Sequence, residues 1–391
     1  MREIERTAFA YLDEHFDEAV AFWKSLAEAE SPFFNKGAVD RCVELAAAYA
    51  ASRGLYLRRC PCAATGNGLI VSTEPLEPGA RSIALMAHLD TVHEIGAFGS
   101  PAVRISDGWM TGPGVGDCKG GAVMALYTLL ALRHAGYAAW PLKLILVGNE
   151  EGGRPEEENF LPGELEGCAA LFNCETGRAH DIVTSRKASI GAVFTVSGAA
   201  GHVGNLDAPP ASAIHAAAQK ILALESLSDY ENRIFSCGEI RGGSVFTSVP
   251  ASCAFKVNCR IRSAEDIGWL KSTLAEIAAR EDAPGTETTL RLTGNIVPMS
   301  PSPANEALFA RFDEATRSLG YEGWRAVHSG GGSDASYAVM QRVPVICATG
   351  VLAEGAHTLG ERANMESLRT RARIHIRTIL DMPADGIILR S

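Results

Sequence analysis

The sequence has little of what marks membrane and secreted proteins. No uninterrupted apolar run approaches the about 20 residues that a membrane span requires. The amino-terminal segment, residues 1–6, is charged and lacks the apolar core of a secretory signal. We therefore expect a cytoplasmic protein that has no membrane partner.

Positive charge and cysteine are also scarce. The 36 lysines and arginines are outnumbered by 46 acidic residues, and the net charge of -10 disfavours a nucleic-acid partner, which usually requires a basic face. Ten cysteines in 391 residues are too few for a dense disulfide framework. Cys60-Pro61-Cys62 is the only close pair, and we interpret its cysteines as ordinary reduced thiols.

The first part of the chain alternates helices and strands. Residues 1 to about 55 have helical spacing with a break at Ser31-Pro32. Residues 68–71, 82–87 and 142–147 are buried-strand candidates, and a helix is predicted over 121–130. This order predicts an α/β domain with a doubly wound mixed sheet, whose ligand site lies at the carboxyl ends of the strands.

A different pattern begins near residue 189. The pattern predicts strands over residues 191–198, 251–260 and 287–292. It predicts helices over residues 211–224 and 265–280. This order suggests a separate α+β unit inserted in the first domain, and the prolines of residues 298–303 mark a domain boundary. We assign residues 1–187 and 301–391 to the catalytic domain and residues 188–300 to the inserted domain, since about 250–300 residues is the limit of one core.

Short polar segments rich in histidine and carboxylates lie between the apolar runs. They are residues 87–90, 114–121, 148–153, 173–176 and 355–358. Imidazole and carboxylate ligands suit zinc, so together these segments predict a metallohydrolase. The Gly-rich segment 114–121 also suggests phosphate binding, but it lacks the Walker spacing and carries the acidic Asp117.

The pair Glu150-Glu151 is the most specific of these signals. Because the side chains of adjacent residues diverge, one carboxylate can bind metal while the other acts as a general base. The alternative is a solvated acidic turn, which the later run of residues 156–158 makes plausible; we assign that run to a surface loop. A carboxylate at Asp90 can accept the second imidazole N–H of His88 and fix its tautomer.

The chain resembles the clan of co-catalytic di-zinc amidohydrolases in four segments, residues 84–121, 145–153, 172–191 and 328–368. This clan includes aminoacylase, glutamate carboxypeptidase, acetylornithine deacetylase and succinyl-diaminopimelate desuccinylase. Residues 329–337 and 355–357 look closest to bacterial glutamate carboxypeptidases. The resemblance implies two zinc ions per subunit, with manganese and cobalt as open alternatives. It implies that one zinc is held by His88 and Glu175, the other by Glu151 and His357, with Asp117 bridging both. Asp90 would orient His88, and Glu150 would be the general base.

The resemblance also implies residues outside the metal ligands. His202 would stabilise the oxyanion from the inserted domain of a partner subunit, so that domain would be a dimerisation or lid domain and the protein a homodimer. Arg260 would bind a substrate carboxylate together with backbone amides of Gly331 and Gly332, and Arg262 is an alternative. Thr247 stands where relatives commonly have asparagine.

Three further residues are assigned from the same resemblance. Cys118 and Cys174 flank implied ligands, and we favour a non-ligand role for both. The peptide bond after the bridging aspartate is often cis in the family. His328 fits a role in the pocket and a packing role equally well.

These residues imply hydrolysis of an amide or peptide bond in a small acyl-amino acid or short peptide, releasing an amino acid. A hydrolytic deaminase or other C–N hydrolase acting on a non-peptide molecule is the alternative, which the change at Thr247 permits. A non-catalytic metal or ligand binder would be expected to have lost the base or the bridging ligand, and Glu150 and Asp117 are both present.

Overall fold

The computed structural model describes residues 2–155, 158–206 and 208–387. Glu156 and Glu157, in the acidic run that we predicted as a surface loop, lie outside the described residues. The chain forms two compact units. The first consists of Met1–Ser185, Pro301–His328 and Tyr337–Ser391, and the second of Arg186–Ser300 and Ser329–Ser336.

The helices begin where the sequence supplies caps or apolar periodicity. They are α1 (Glu3–Glu14), α2 (Phe16–Glu28), α3 (Lys36–Ser52), α4 (Gly120–His134), α5 (Leu161–Leu165), α6 (Ala213–Glu225), α7 (Asp266–Ala279), α8 (Pro303–Ser318), α9 (Ser336–Met340) and α10 (Glu366–Leu380). After the predicted break at Ser31-Pro32, the Asn35 side chain caps α3 by accepting a hydrogen bond from the Ala38 N–H at 3.1 Å.

One helical stretch, Val115–His134, is long and apolar enough to cross a membrane by composition alone. Of its most apolar 18 residues, 94% are buried inside the protein, where α4 packs against the central sheet and α10. A helix that is apolar on all sides and enclosed by other elements is typical of a protein core. We therefore interpret it as a core helix.

The strands range from two to ten residues in length. They are β1 (Tyr56–Cys60), β2 (Gly68–Ser72), β3 (Ser82–His88), β4 (Arg104–Ser106), β5 (Trp109–Thr111), β6 (Leu142–Val147), β7 (Cys168–Asn173), β8 (Asp181–Arg186), β9 (Ser189–Ser197), β10 (Gly201–His202), β11 (Arg233–Gly242), β12 (Ser248–Val249), β13 (Ser252–Ile261), β14 (Glu287–Ile296), β15 (Arg325–Ser329), β16 (Val345–Cys347), β17 (Ala353–Glu354) and β18 (Arg362–Asn364).

The first unit is built on an eight-stranded sheet in the order β1-β2-β6-β3-β7-β16-β8-β15. Strands β6, β3, β7 and β16 are parallel neighbours, whereas β1, β2 and β6 pair antiparallel. The mixed α/β fold predicted from the sequence is confirmed. Every residue of β3 and β6 is buried, as expected for central strands covered on both faces.

The second unit contains an antiparallel sheet in the order β11-β13-β9-β14, against which α6 and α7 pack. Its core combines alternate residues of β9 and β13 with apolar residues of α6 and α7, and the rings of Phe194 and Phe255 stack with centroids 4.8 Å apart. The alternating patterns at 191–198 and 251–260 therefore predicted real strands. This unit has a hydrophobic core of its own.

Candidate metal centre

Three neighbouring parallel strands of the large sheet end at the same edge. In the ladders, His88 lies opposite Val147 at the end of β6, and Met86 lies opposite Asn173 at the end of β7. Glu150-Glu151 follows β6 and Glu175 follows β7, so these residues lie at the same edge of the sheet as His88. The register of the sheet brings together side chains far apart in the sequence.

Asp117 lies in the turn Val115–Lys119 that precedes α4, where the backbone of Asp117 and Cys118 is not helical and the peptide bond between them is cis. The Asp117 Oδ1 atom is 3.3 Å from Nε2 of His88, while Oδ2 is 3.3 Å from Nε2 of His357. Each oxygen of one carboxylate thus faces a different imidazole. This is the arrangement that a bridging ligand between two cations requires.

Each imidazole also faces a second carboxylate. Nε2 of His88 is 3.7 Å from Oε2 of Glu175, and Nε2 of His357 is 3.1 Å from Oε1 of Glu151. The structure therefore brings all five predicted ligands together as two imidazole and carboxylate sets that share Asp117. Imidazole with carboxylate oxygen is a donor set that zinc, manganese and cobalt accept, so these residues fit a pair of metal ions.

The charges of the site are unbalanced in the absence of a cation. Hydrogen bonds to Asp117 and Glu151 raise the pKa of His357 to about 10. Burial alone would raise the pKa of Asp117, but hydrogen bonds from His357 and His88 outweigh it and lower that pKa. The carboxylates thus hold protons on the histidines, and bound divalent cations would take the place of those protons.

Asp90 is fully buried and fixes the adjacent loop. Its Oδ1 accepts the main-chain N–H of Glu150 at 3.1 Å, and its Oδ2 accepts that of Glu151 at 2.9 Å. Nδ1 of His88 is 2.9 Å from the Asp90 main-chain oxygen but 3.6 Å from Oδ1. Asp90 therefore contacts His88 mainly through its backbone, whereas its carboxylate positions the main chain of Glu150 and Glu151.

Glu361 was not singled out in the sequence, yet it shapes the turn that carries Asp117. Its carboxylate accepts main-chain N–H groups of Gly114 (3.2 Å), Gly116 (2.8 Å) and Asp117 (3.0 Å), and it lies 3.2 Å from Nε2 of His93. It is 1% exposed. Its position four residues after His357 was the only local signal, and such a spacing is too common to be specific.

The two cysteines beside the ligands are bonded to neighbouring groups. Sγ of Cys118 accepts the N–H of His88 at 3.1 Å, and Sγ of Cys174 donates to the Phe172 carbonyl at 3.5 Å. Burial raises the pKa of Cys174 to about 12.

A Cβ placed on Gly121 would lie 1.9 Å from the Cys174 carbonyl oxygen, so glycine is required where α4 meets the end of β7.

The second unit contains His202 and Thr247, which lie near each other. Strands β10 and β12 pair His202 with Ser248, and the Thr247 carbonyl accepts the Val203 N–H at 3.4 Å. His202 is exposed, and its Nδ1 accepts the Gly204 N–H at 3.1 Å. A neutral imidazole with Nδ1 as acceptor carries its proton on Nε2, which is then a donor.

Two arginines of the second unit contact the Gly-rich loop. Arg260 donates to the Asn258 side chain at 2.7 Å and to the Gly330 carbonyl at 3.5 Å, and burial lowers its pKa. Arg186, which the sequence did not suggest, donates to the carbonyls of Gly331 (3.1 Å) and Gly332 (3.2 Å).

The two residues that were left with alternatives also have identified contacts. Nη1 of Arg262 is 3.8 Å from a carboxylate oxygen of Glu231. In the first unit, Nδ1 of His328 is 2.9 Å from the Ser185 hydroxyl.

Comparison with known proteins gives concordant results. The profile of the family described as Peptidase family M20/M25/M40 matches residues 84–381. The chain is similar to Carboxypeptidase G2 of Pseudomonas sp. (strain RS-16), with 26% identity over 78% of this chain and 75% of the relative. It is also similar to succinyl-diaminopimelate desuccinylase of Cereibacter sphaeroides, with 26% identity over 71% of this chain and 76% of the relative.

A solved structure shares the fold. It is the Bacillus subtilis YXEP protein, described as a dinuclear metal binding peptidase from the M20 family. The two chains superpose with a TM-score of 0.65 at 16% identity, over 96% of this chain and 99% of the other.

Proposed function

This chain belongs to peptidase family M20/M25/M40, and from that membership we propose how its residues carry out the reaction. The protein is a metal-dependent hydrolase of peptide or acyl-amino acid amide bonds, which confirms the activity expected from the sequence. We propose that its substrate is a small acyl-amino acid or short peptide with a free carboxylate, and that an amino acid is released.

The metal pair in this proposal is zinc, with two ions per subunit. His88 and Glu175 would hold one ion, Glu151 and His357 the other, and Asp117 both. The single observation that carries the proposal is that the two oxygens of Asp117 are each 3.3 Å from a different imidazole. Bound metal ions would polarise the scissile carbonyl and lower the pKa of the attacking water.

Glu150 is the general base of the proposed reaction. It accepts a proton from the water as the oxygen attacks the scissile carbonyl carbon, and it delivers that proton to the leaving nitrogen as the C–N bond breaks. The buried Asp90 carboxylate accepts the N–H groups of Glu150 and Glu151, which supports a fixed position for the base beside a ligand. Asp90 is thus a positioning residue for both.

His202 would stabilise the oxyanion through the proton on Nε2. The hydrogen bond from the Gly204 N–H to Nδ1 supports this tautomer, since it leaves Nε2 as the donor. We propose that this histidine acts in the site of a partner subunit, so that the inserted domain of residues 188–300, which makes up most of the second unit, is a dimerisation domain. The protein would then work as a homodimer, located in the cytoplasm.

Arg260 would bind the substrate carboxylate. A guanidinium suits this role because it can give two parallel hydrogen bonds to a carboxylate. Its contact with the Gly330 carbonyl supports a location beside the Gly-rich loop, where Gly331 and Gly332 would contribute backbone amides. The name of the relative Carboxypeptidase G2 is consistent with a substrate that has a free carboxyl end.

The proposal is tested by amine release from a panel of acyl-amino acids, dipeptides and aryl-amide amino acids. Each substrate is paired with the same compound amidated at its carboxylate. We expect hydrolysis of the free acids only, lost when the metal is removed by a chelator and restored by zinc. Replacing Arg260 with lysine should raise KM for the free acids.

The contrary result would be that the protein binds two metal ions but hydrolyses no member of the panel. That result would favour the alternative, a C–N hydrolase acting on a non-peptide molecule.

A further inference from the structure

Two adjacent aromatic rings are exposed on the first unit. Phe33 is 37% exposed and Phe34 is 58% exposed, and their rings meet edge to face with centroids 5.3 Å apart. Aromatic side chains held in water are costly, and a rigid exposed pair is typical of a binding surface. The sequence had indicated only a helix break at this position.

The backbone before these rings is fixed to the segment that contains Asp90. The Phe33 N–H donates to the Thr91 carbonyl at 2.9 Å, and the Thr91 N–H donates to the Ser31 carbonyl at 2.9 Å. The Ser31 hydroxyl also donates to the Leu89 carbonyl at 2.5 Å. The aromatic pair therefore keeps a fixed position beside the strand end that supplies His88.

The Phe33 ring also lies against the loop that carries the proposed base. A Cβ placed on Gly152 would lie 2.4 Å from Cδ2 of Phe33, so the ring packs directly on the Gly152 backbone. Gly152 follows Glu151 in the chain, and both carboxylates of this loop are anchored by Asp90. Phe33 therefore contacts the loop of the proposed metal site, and Phe34 adjoins Phe33.

We propose that Phe33 and Phe34 form a subsite for an aromatic or large apolar acyl group of the substrate. The proposal rests on the proposed function and names the acyl side of that substrate. In the chain, Glu30 lies three residues before Phe33, and Glu151 adjoins Gly152. The nearest lysine in sequence, Lys36, already pairs with Asp40 at 2.9 Å. The exposed rings offer a substrate carboxylate no charged partner, whereas an uncharged ring or another apolar group would pack on them.

The test compares N-benzoyl and N-acetyl derivatives of the same amino acid. Phe34→Ala removes the more exposed ring, and Phe33→Leu keeps apolar packing on Gly152 while removing the aromatic face. We expect each variant to lower the ratio of kcat/KM for the benzoyl substrate to kcat/KM for the acetyl substrate by about tenfold, mainly through KM. Both variants should retain the metal content of the wild-type protein.

Ile105→Ala and Tyr56→Ala are the matched controls, since each of these side chains is 47% exposed elsewhere on the first unit. They should leave the ratio unchanged. The proposal would be overturned if the Phe33 and Phe34 variants left the benzoyl-to-acetyl ratio of kcat/KM unchanged, including through an equal loss on both substrates. It would also be overturned if these variants changed the oligomeric state and left the ratio as it was.

A failure of the proposed function is recognised separately. If the wild-type protein hydrolyses no amide, calorimetry with benzamide and acetamide still tests the subsite. A preference for benzamide that Phe34→Ala abolishes would support it, and the absence of any preference would overturn it.

Discussion

The metal-ligand loops of the first unit and the predicted recognition loops of the second unit are held in different ways. In the first unit, the fully buried Asp90 and the almost fully buried Glu361 accept five main-chain N–H groups from the loops that carry Glu150, Glu151 and Asp117. In the second unit, His202 and Thr247 are exposed and have few contacts.

The difference is consistent with what each region would bind under the proposed function. Metal ligands have to be placed within a few tenths of an ångström before the cation arrives, and supporting hydrogen bonds provide this order. Residues that contact a substrate or a partner subunit gain their remaining contacts only on binding. Rigid support is therefore concentrated behind the metal centre, and variants in the two regions should fail in different ways.

The largest expected effect comes from Glu150→Gln, which removes the base and keeps the loop. We expect kcat to fall by about 10²–10⁴-fold, because the amide cannot accept the proton of the attacking water. Metal content per chain, measured by atomic emission, should equal that of the wild-type protein. Turnover at the wild-type rate would remove Glu150 as the base.

The next effect tests the exposed region. His202→Ala should lower kcat by about 10²-fold through the loss of an oxyanion donor, with no change in unfolding midpoint because the side chain is exposed. Mixing this variant with Glu150→Gln chains should recover about a quarter of wild-type activity. When the two variants are mixed in equal amounts, about half of the dimers contain one chain of each kind. If His202 acts across the interface, one of the two sites in such a dimer combines an intact Glu150 with an intact His202, and the other site has neither. No recovery on mixing would contradict action in the partner's site.

A smaller effect is expected behind the metal centre. Glu361→Gln should weaken metal affinity by about 10–100-fold, because the amide has one acceptor oxygen for the N–H groups of Gly114, Gly116 and Asp117. Titration of the metal-free protein with zinc against a competing chelator measures it. The control Glu44→Gln breaks an exposed pair with Arg59 and should leave metal affinity unchanged. Equal affinities for all three proteins would show that the turn does not depend on Glu361.

The smallest effect at neutral pH concerns His375, which lies under the sheet and faces the Thr349 hydroxyl at 3.1 Å. Burial lowers its pKa to about 4. Well above about pH 6.5 the imidazole is neutral in both folded and unfolded states and contributes no pH dependence. As pH falls from about 6.5 to 4, only the unfolded state takes up the proton, so the free energy of unfolding falls, by about 2 kcal/mol at about pH 5.

His375→Gln keeps a neutral polar group at this position and should remove that part of the pH dependence. Urea unfolding of both proteins at neutral and acidic pH measures the difference. Parallel losses of stability in the variant and the wild-type protein would contradict a neutral buried histidine.

Much of the fold could be predicted because local patterns carried it. Strand β6 occupies the predicted residues 142–147, since a short apolar run interrupted only by Lys143 and bounded by Pro141 and Gly148 predicts a buried strand. Helix α10 was missed, because its arginines and histidine give it a polar composition although Arg371 and His375 are buried. Strand β16 has three residues, too few for any periodicity.

The sequence by itself determined the kind of chemistry, because histidines and carboxylates at the ends of apolar runs already specify a metal-binding edge of an α/β sheet. The tertiary structure decided which buried carboxylate holds the main chain of which loop. Asp90 holds the backbone of Glu150 across 60 positions, and Glu361 holds that of Gly116 across 245. Phe33 lies on Gly152 because residues 31–33 run beside residues 89–91. Such partners are selected by the register of strands and loops in space, and no local spacing in the chain encodes that register.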